Sequence, residues 1–163
     1  MLGRYLAFTL CTLMALQSIH CGSSSSITAV INGKEISMPV DGVDIAATGI
    51  GDSLGGVPGY PIARSMAIMI RFINGGIIDQ IRFDIRDTAV IIIGQTTYID
   101  QANVLATVSL SGIDQYIAPG LAVIKFDQLG LAEGQTVSGD FQMTTPSALL
   151  SGHFEGEVRF LGY

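Results

Sequence analysis

The chain has 163 residues, a length typical of a single domain. Apolar residues make up 48% and charged residues only 13%, which excludes intrinsic disorder because disordered chains have few apolar and many charged residues. The net charge of −6 repels a phosphate backbone, so we expect no nucleic-acid partner.

Residues 1–20 have the pattern of an export signal. Arg4 is the only charged side chain before an apolar run over residues 6–16. This run is too short to cross a bilayer core, which takes about 20 residues in a helix. It matches the apolar centre of a secretory signal peptide. We therefore expect residues 1–20 to be removed on export.

Cys21 and the small residues after it favour a lipid anchor. The cysteine follows the apolar run and precedes a glycine and the serines of residues 23–26. This arrangement resembles a bacterial lipoprotein signal, which implies that Cys21 becomes the acylated first residue of the mature protein. Residues 21–26 would then be a flexible Gly/Ser tether. The alternatives are a cut near Ser23, giving a soluble periplasmic or secreted protein, and an uncleaved anchor.

The cysteine count agrees with export. The chain has two cysteines: Cys11 lies in the apolar run, and Cys21 would carry the lipid. The mature domain would keep no free thiol, which excludes cysteine catalysis, a cysteine zinc site and a redox motif. By the same resemblance, the absence of Asp directly after Cys21 implies the outer membrane. The implied partners are the membrane, through the lipid, and an envelope protein.

The first strands are predicted from turn residues. Asn32-Gly33 separates two β-like segments, residues 27–31 and 35–40, and Asn-Gly is a strong signal for a two-residue hairpin turn. Asp41-Gly42 predicts a further turn, followed by a short strand over residues 43–47. Residues 49–61 are rich in glycine and predict a long loop over one end of the domain.

The middle of the chain predicts a hairpin and a covered strand. Residues 66–72 and 79–85 alternate around a turn at residues 74–76. Alternation predicts that Ile81, Phe83 and Ile85 are buried while the charged residues between them face solvent. Residues 89–93 are apolar throughout, which predicts a strand that is central or covered on both faces.

A short internal repeat predicts the last hairpin. Residues 137–142 and 150–155 share a Ser-Gly-x-Phe core at a spacing of 13 residues. Copies this close indicate the two arms of a hairpin, with Phe141 and Phe154 in the core. A strand glycine leaves a gap that an aromatic ring on the neighbouring strand can cover.

These segments predict an all-β domain over residues 27–163. No sustained helical stripe follows the signal, and nine to eleven short strands with regular turns favour an antiparallel β-sandwich. The alternative is a closed up-and-down β-barrel of the lipocalin type.

The same features resemble a group of small bacterial lipoproteins. The resemblance rests on Cys21-Gly22-Ser23, on residues 28–34 and on the closing pair of Ser-Gly-x-Phe strands. It implies an envelope location and a β-rich domain, and it supplies no biochemical function.

One histidine remains after residue 21, and it sits in a polar row. His153 shares a strand face with Glu155, and Asp140 lies opposite if the repeat forms a hairpin. We interpret this row as a solvated sheet exterior and expect no cofactor and no tightly held structural metal, because structural zinc takes four Cys or His ligands. The alternative is a metal site at His153, Glu155 and Asp140.

We expect the domain not to be an enzyme, because no nucleophile–base spacing is recognisable. The first functional hypothesis is a non-catalytic envelope lipoprotein that acts as a surface or protein-interaction component. The second is a ligand-binding sandwich or barrel for a small molecule or glycan. It would use Tyr60, Tyr98 and Tyr116 to line a concave pocket.

Overall fold

The computed structural model describes residues 26–50, 62–100 and 102–160. The signal sequence, residues 21–25 of the predicted tether with Cys21, and residues 51–61 of the predicted loop with Tyr60 lie outside these ranges. The described residues form ten strands and one short 3-10 helix over Thr88–Val90. The strands are β1 (Ser26–Ile31), β2 (Lys34–Ile50), β3 (Ile62–Asn74), β4 (Ile77–Ile85), β5 (Thr96–Tyr98), β6 (Val104–Leu110), β7 (Ile113–Tyr116), β8 (Ala122–Leu129), β9 (Thr136–Thr144) and β10 (Leu149–Phe160).

The strands pair in the order β5-β8-β9-β10-β1-β2-β3-β4-β6-β7. All neighbours in this order are antiparallel, and an additional parallel contact joins the end of β10 to β2. The two terminal strands, β5 and β7, do not pair with each other in the described chain, so the sheet is not closed. The predicted antiparallel sandwich is confirmed, and the barrel alternative is wrong.

The two halves of the sheet face each other across an apolar core. Phe83 of β4 and Phe141 of β9 belong to opposite halves, yet their ring centroids are 5.7 Å apart. Phe126 and Phe154 make an edge contact at 5.9 Å. The predicted burial of Phe141, Phe154 and the alternating residues of β4 is therefore confirmed.

Tight turns set the register of the hairpins. Asn32 and Gly33 have φ of 52° and 75°, as a two-residue turn that matches strand twist requires. Ser111 and Gly112 repeat this conformation with φ of 53° and 78°. This turn reverses the chain after β6, so that β7 pairs with it. Strand β7 was not predicted from the sequence.

A buried carboxylate, that of Asp79, connects the turn after β3 to the turn between β6 and β7. Asp79 is 1% exposed. It accepts hydrogen bonds from the Asn74 side-chain amide at 3.0 Å and from the Ser111 backbone N–H at 2.6 Å. The Asn74 amide reaches Oδ2 and the Ser111 N–H reaches Oδ1, so each carboxylate oxygen has a partner and its burial is less costly.

The turn predicted at Asp41-Gly42 is wrong. The register of β2 against β3 shifts between Val40 and Gly42, which is a β-bulge, and the strand continues to Ile50. The first part of β2 pairs with β1 and the second part with β3. The bulge thus bends one long strand from one half of the sandwich into the other, as bulges commonly do.

The covered strand predicted over residues 89–93 is also wrong. The segment begins with the 3-10 helix, in which the Ala89 backbone N–H donates a hydrogen bond to the Asp87 carboxylate. Thr88 is buried and donates a hydrogen bond to the Ala63 carbonyl, which fixes the turn against β3. Ile92 and Ile93 are each 56% exposed. An apolar run alone does not distinguish a buried strand from such a turn.

Asp100 organises the loop between β5 and β6. Its carboxylate accepts hydrogen bonds from the backbone N–H of Asn103 at 2.7 Å and of Val104 at 3.1 Å. These bonds, with a third from the Asn103 side chain, lower the pKa of Asp100 to about 2. Hydrogen bonds to a carboxylate favour its charged form.

This lowered pKa predicts a stabilising contribution that depends on pH. The contribution is fully present above the ordinary carboxyl pKa and is lost as the pH falls toward 2. Asp100→Asn should therefore melt below the wild type at pH 5, and the difference should shrink at pH 2. Thermal unfolding of both proteins at the two pH values checks this. A difference in Tm that is equal at both would contradict the assignment.

Candidate functional site

Three polar side chains meet on the outer face of β8, β9 and β10. One ligand atom from each of Asp127, Asp140 and His153 lies within 4.8 Å of those of the other two. All three residues are exposed. His153 Nδ1 lies 2.9 Å from Asp140 Oδ1, within hydrogen-bonding distance. This group, called the Asp–Asp–His cluster below, combines two carboxylates and one imidazole.

The β9–β10 hairpin places two of the three members. Asp140 is the direct cross-strand partner of His153, flanked by the pairs Gly139–Phe154 and Phe141–Gly152. Both phenylalanines point into the core. Because side chains alternate along a strand, Asp140 and His153 must point outward. The repeat that predicted the hairpin therefore also fixes this pair.

A β-bulge in β8 supplies the third member. Phe126 pairs with Gly139 and Gln128 pairs with Ser138, so Asp127 is an extra residue without its own partner. A Cβ atom at Gly139 would overlap the carbonyl oxygen of Lys125. The glycine thus permits the close approach of β8 and β9 at the position where Asp127 joins the cluster.

Among the residues that the structure describes, neither carboxylate of the cluster has a Lys or Arg ion-pair partner. Within the described ranges, the ion pairs besides His153–Asp140 are Arg71–Asp44 and Arg82–Asp84. Lys125 is the cross-strand neighbour of Asp140 but makes no ion pair with it. The imidazole of His153 contacts Asp140, while Asp127 lies nearby without an ion pair to it.

The predicted metal ligands are brought together only in part. Asp140 and His153 meet, as the hairpin implied. Glu155 pairs with Ser138, one step along the same face of β10, and is not part of the cluster. Asp127 was missed, because its approach depends on the bulge. The signal in the sequence was Gly139, whose missing Cβ permits that bulge.

The predicted aromatic pocket receives no support from the two tyrosines that the structure describes. Tyr98 is 64% exposed on β5 and Tyr116 is 79% exposed on β7. These strands stand at opposite ends of the strand order. A shallow surface depression lies elsewhere, over β2, β3 and β4, with Ala46, Ala67 and Arg82 in its lining.

The cluster offers two carboxylates and one imidazole, donor groups of the kinds that coordinate divalent cations. Within the described residues, His153 makes one side-chain hydrogen bond, to Asp140. No helix in these ranges has the length and apolar character of a membrane span. No protein family, curated protein or solved structure matches the chain.

Proposed function

We propose that this protein is a non-catalytic lipoprotein of the bacterial cell envelope, anchored by a lipid on Cys21. The observation that carries the proposal is the position of Cys21, between a short apolar run and a Gly/Ser segment. The first strand begins at Ser26, so the cysteine lies immediately before the folded domain. A lipoprotein signal would produce this arrangement, in which a folded domain follows the lipidated cysteine after a short tether.

The composition of the β domain is compatible with this proposal. Residues 26–163 contain no cysteine, so the domain has no thiol to oxidise outside the cytoplasm. Its core is built from aromatic and branched aliphatic side chains, which supply stability without a disulfide at this chain length.

The role that we propose for the domain is contact with another envelope component at the surface. Apolar side chains are exposed near several turns, among them Ile77 and Ile78 of β4 and Ile113 of β7. Exposed apolar surface often marks protein contact sites, and these residues are the ones through which we propose the contact. The alternative is a ligand-binding domain for a small molecule or glycan; the described residues support it less, because Tyr98 and Tyr116 are both exposed and lie on strands at opposite ends of the strand order.

Substitution of Cys21 tests the anchor. Cys21→Ser should abolish labelling by a radioactive or clickable fatty acid and release the protein into the soluble fraction. The reason is that the thiol is the acceptor of the lipid. Acyl labelling and membrane fractionation in a bacterial host measure both effects.

The matched control is Cys11→Ser. Cys11 lies within the apolar run and would be removed with the signal, so labelling and membrane attachment should stay as in the wild type. Unchanged membrane attachment of Cys21→Ser would contradict the proposal, as would loss of labelling in Cys11→Ser alone.

A further inference from the structure

We propose that the Asp–Asp–His cluster is an exchangeable surface site for a first-row divalent transition-metal cation, for which Zn²⁺ serves as the test ion. The proposal rests on the juxtaposition of Asp127, Asp140 and His153 on three neighbouring strands. It does not depend on the lipid anchor, because the cluster belongs to the folded domain.

The donor set selects the class of cation. Imidazole nitrogen suits Zn²⁺ and other first-row transition metals, whereas Ca²⁺ and Mg²⁺ prefer sites made only of oxygen ligands. Three protein ligands leave at least one position open to water, as in zinc sites that exchange ligands. The cluster therefore favours Zn²⁺ over Ca²⁺.

The geometry requires only a small adjustment. Ligand atoms around Zn²⁺ are separated by roughly 3–3.5 Å, given metal–ligand bonds of about 2.0–2.2 Å in a tetrahedron. The three ligand atoms already lie within 4.8 Å of one another. The side chains are exposed, so rotations about their side-chain bonds can close the difference while the paired strands keep their positions.

The electrostatics favour a cation at this point. Asp127 and Asp140 have no Lys or Arg ion pair in the described part of the chain, although Lys125 is the cross-strand neighbour of Asp140. A divalent cation would relieve the repulsion between the two carboxylates. A cation bound at a solvated surface exchanges readily with solvent. This site therefore differs from a structural metal site, whose metal is required for folding.

The backbone holds the ligands in register before any cation arrives. Asp140 and His153 are fixed by the β9–β10 pairing, and Asp127 by the bulge opposite Gly139. A site on paired strands loses less conformational entropy on binding than a site on a loop. This prior arrangement distinguishes the cluster from a chance group of surface acids on mobile loops.

Calorimetric titration of the purified protein in the form isolated from the bacterial envelope, without an affinity tag, tests the inference. ZnCl₂ should bind with a stoichiometry of one per chain, and CaCl₂ should bind at least about tenfold more weakly. Asp127→Asn and His153→Gln should each weaken Zn²⁺ binding by at least about tenfold, because even outer contacts of a metal site cost 10–100-fold. Thermal unfolding without metal confirms that each variant is folded.

Glu155→Gln is the matched control. Glu155 lies on the same face of β10, two residues from His153, but outside the cluster. Its substitution removes one negative charge and should leave the Zn²⁺ affinity within about twofold of the wild type, since surface charges contribute little when solvent screens them. Absence of saturable Zn²⁺ binding would overturn the inference. Equal losses in Glu155→Gln and Asp127→Asn would also overturn it, by showing a general charge effect.

Discussion

Replacing Phe154 with Ala is expected to lower the free energy of unfolding by about 3–5 kcal/mol, the usual cost of truncating a buried phenylalanine. Phe154 is fully buried, and its ring makes an edge contact with Phe126 at 5.9 Å. The substitution would leave a cavity between β8 and β10 that the paired strands cannot close. Chemical denaturation monitored by circular dichroism measures the loss.

Tyr98→Ala provides the control for Phe154→Ala. Tyr98 is an aromatic strand residue that is 64% exposed, so its truncation should change the stability by only about 0.5 kcal/mol. If Phe154→Ala cost less than about 1 kcal/mol, the burial of this ring and the phase of β10 would both be wrong.

Gly139→Ala is expected to destabilise the domain by about 1–3 kcal/mol or more, the range for adding atoms to a packed site. The new Cβ would overlap the Lys125 carbonyl oxygen and approach the Phe126 Cα atom at 3.1 Å. Both obstacles are backbone atoms of β8, so a side-chain rotation cannot relieve the clash. The strand must move, and Asp127 moves with it. Denaturation should therefore show a loss of stability, and calorimetry a weaker Zn²⁺ affinity.

Gly156→Ala is the matched substitution in the neighbouring strand. A Cβ atom there meets the ends of the Ile45 and Val43 side chains, the nearest at 3.0 Å. Flexible side chains can yield by a few tenths of an ångström, so the effect on stability should be smaller and Zn²⁺ binding should persist. A Gly139→Ala protein as stable as the wild type would contradict the close approach of β8 and β9.

The features that the sequence predicted correctly are local. Asn32-Gly33 determines a turn through its own backbone conformation, and the spacing of Phe141 and Phe154 determines which face of a hairpin is buried. Alternation in β4 worked for the same reason, because one face of the strand packs on the core. These signals together were sufficient for an antiparallel sandwich.

The features that the sequence analysis missed depend on contacts between distant residues. Ile92 and Ile93 are as apolar as core residues, but the anchoring of Thr88 to β3 turns the chain before a strand can form. The bulge at Asp41-Gly42 has the residues of a turn, yet pairing with β3 keeps it extended. Asp127 likewise reaches Asp140 and His153 only because β8 bulges beside Gly139.

The intact mass of the protein extracted from membranes tests the proposed function most directly. The proposal predicts a chain that begins at Cys21 and carries additional mass from acyl chains, which mild alkaline hydrolysis reduces by releasing ester-linked acyl groups. Fragmentation should place the modification on the first residue. A mature chain that begins at another residue without lipid, or one that retains residues 1–20, would contradict the proposal of a lipid-anchored sandwich.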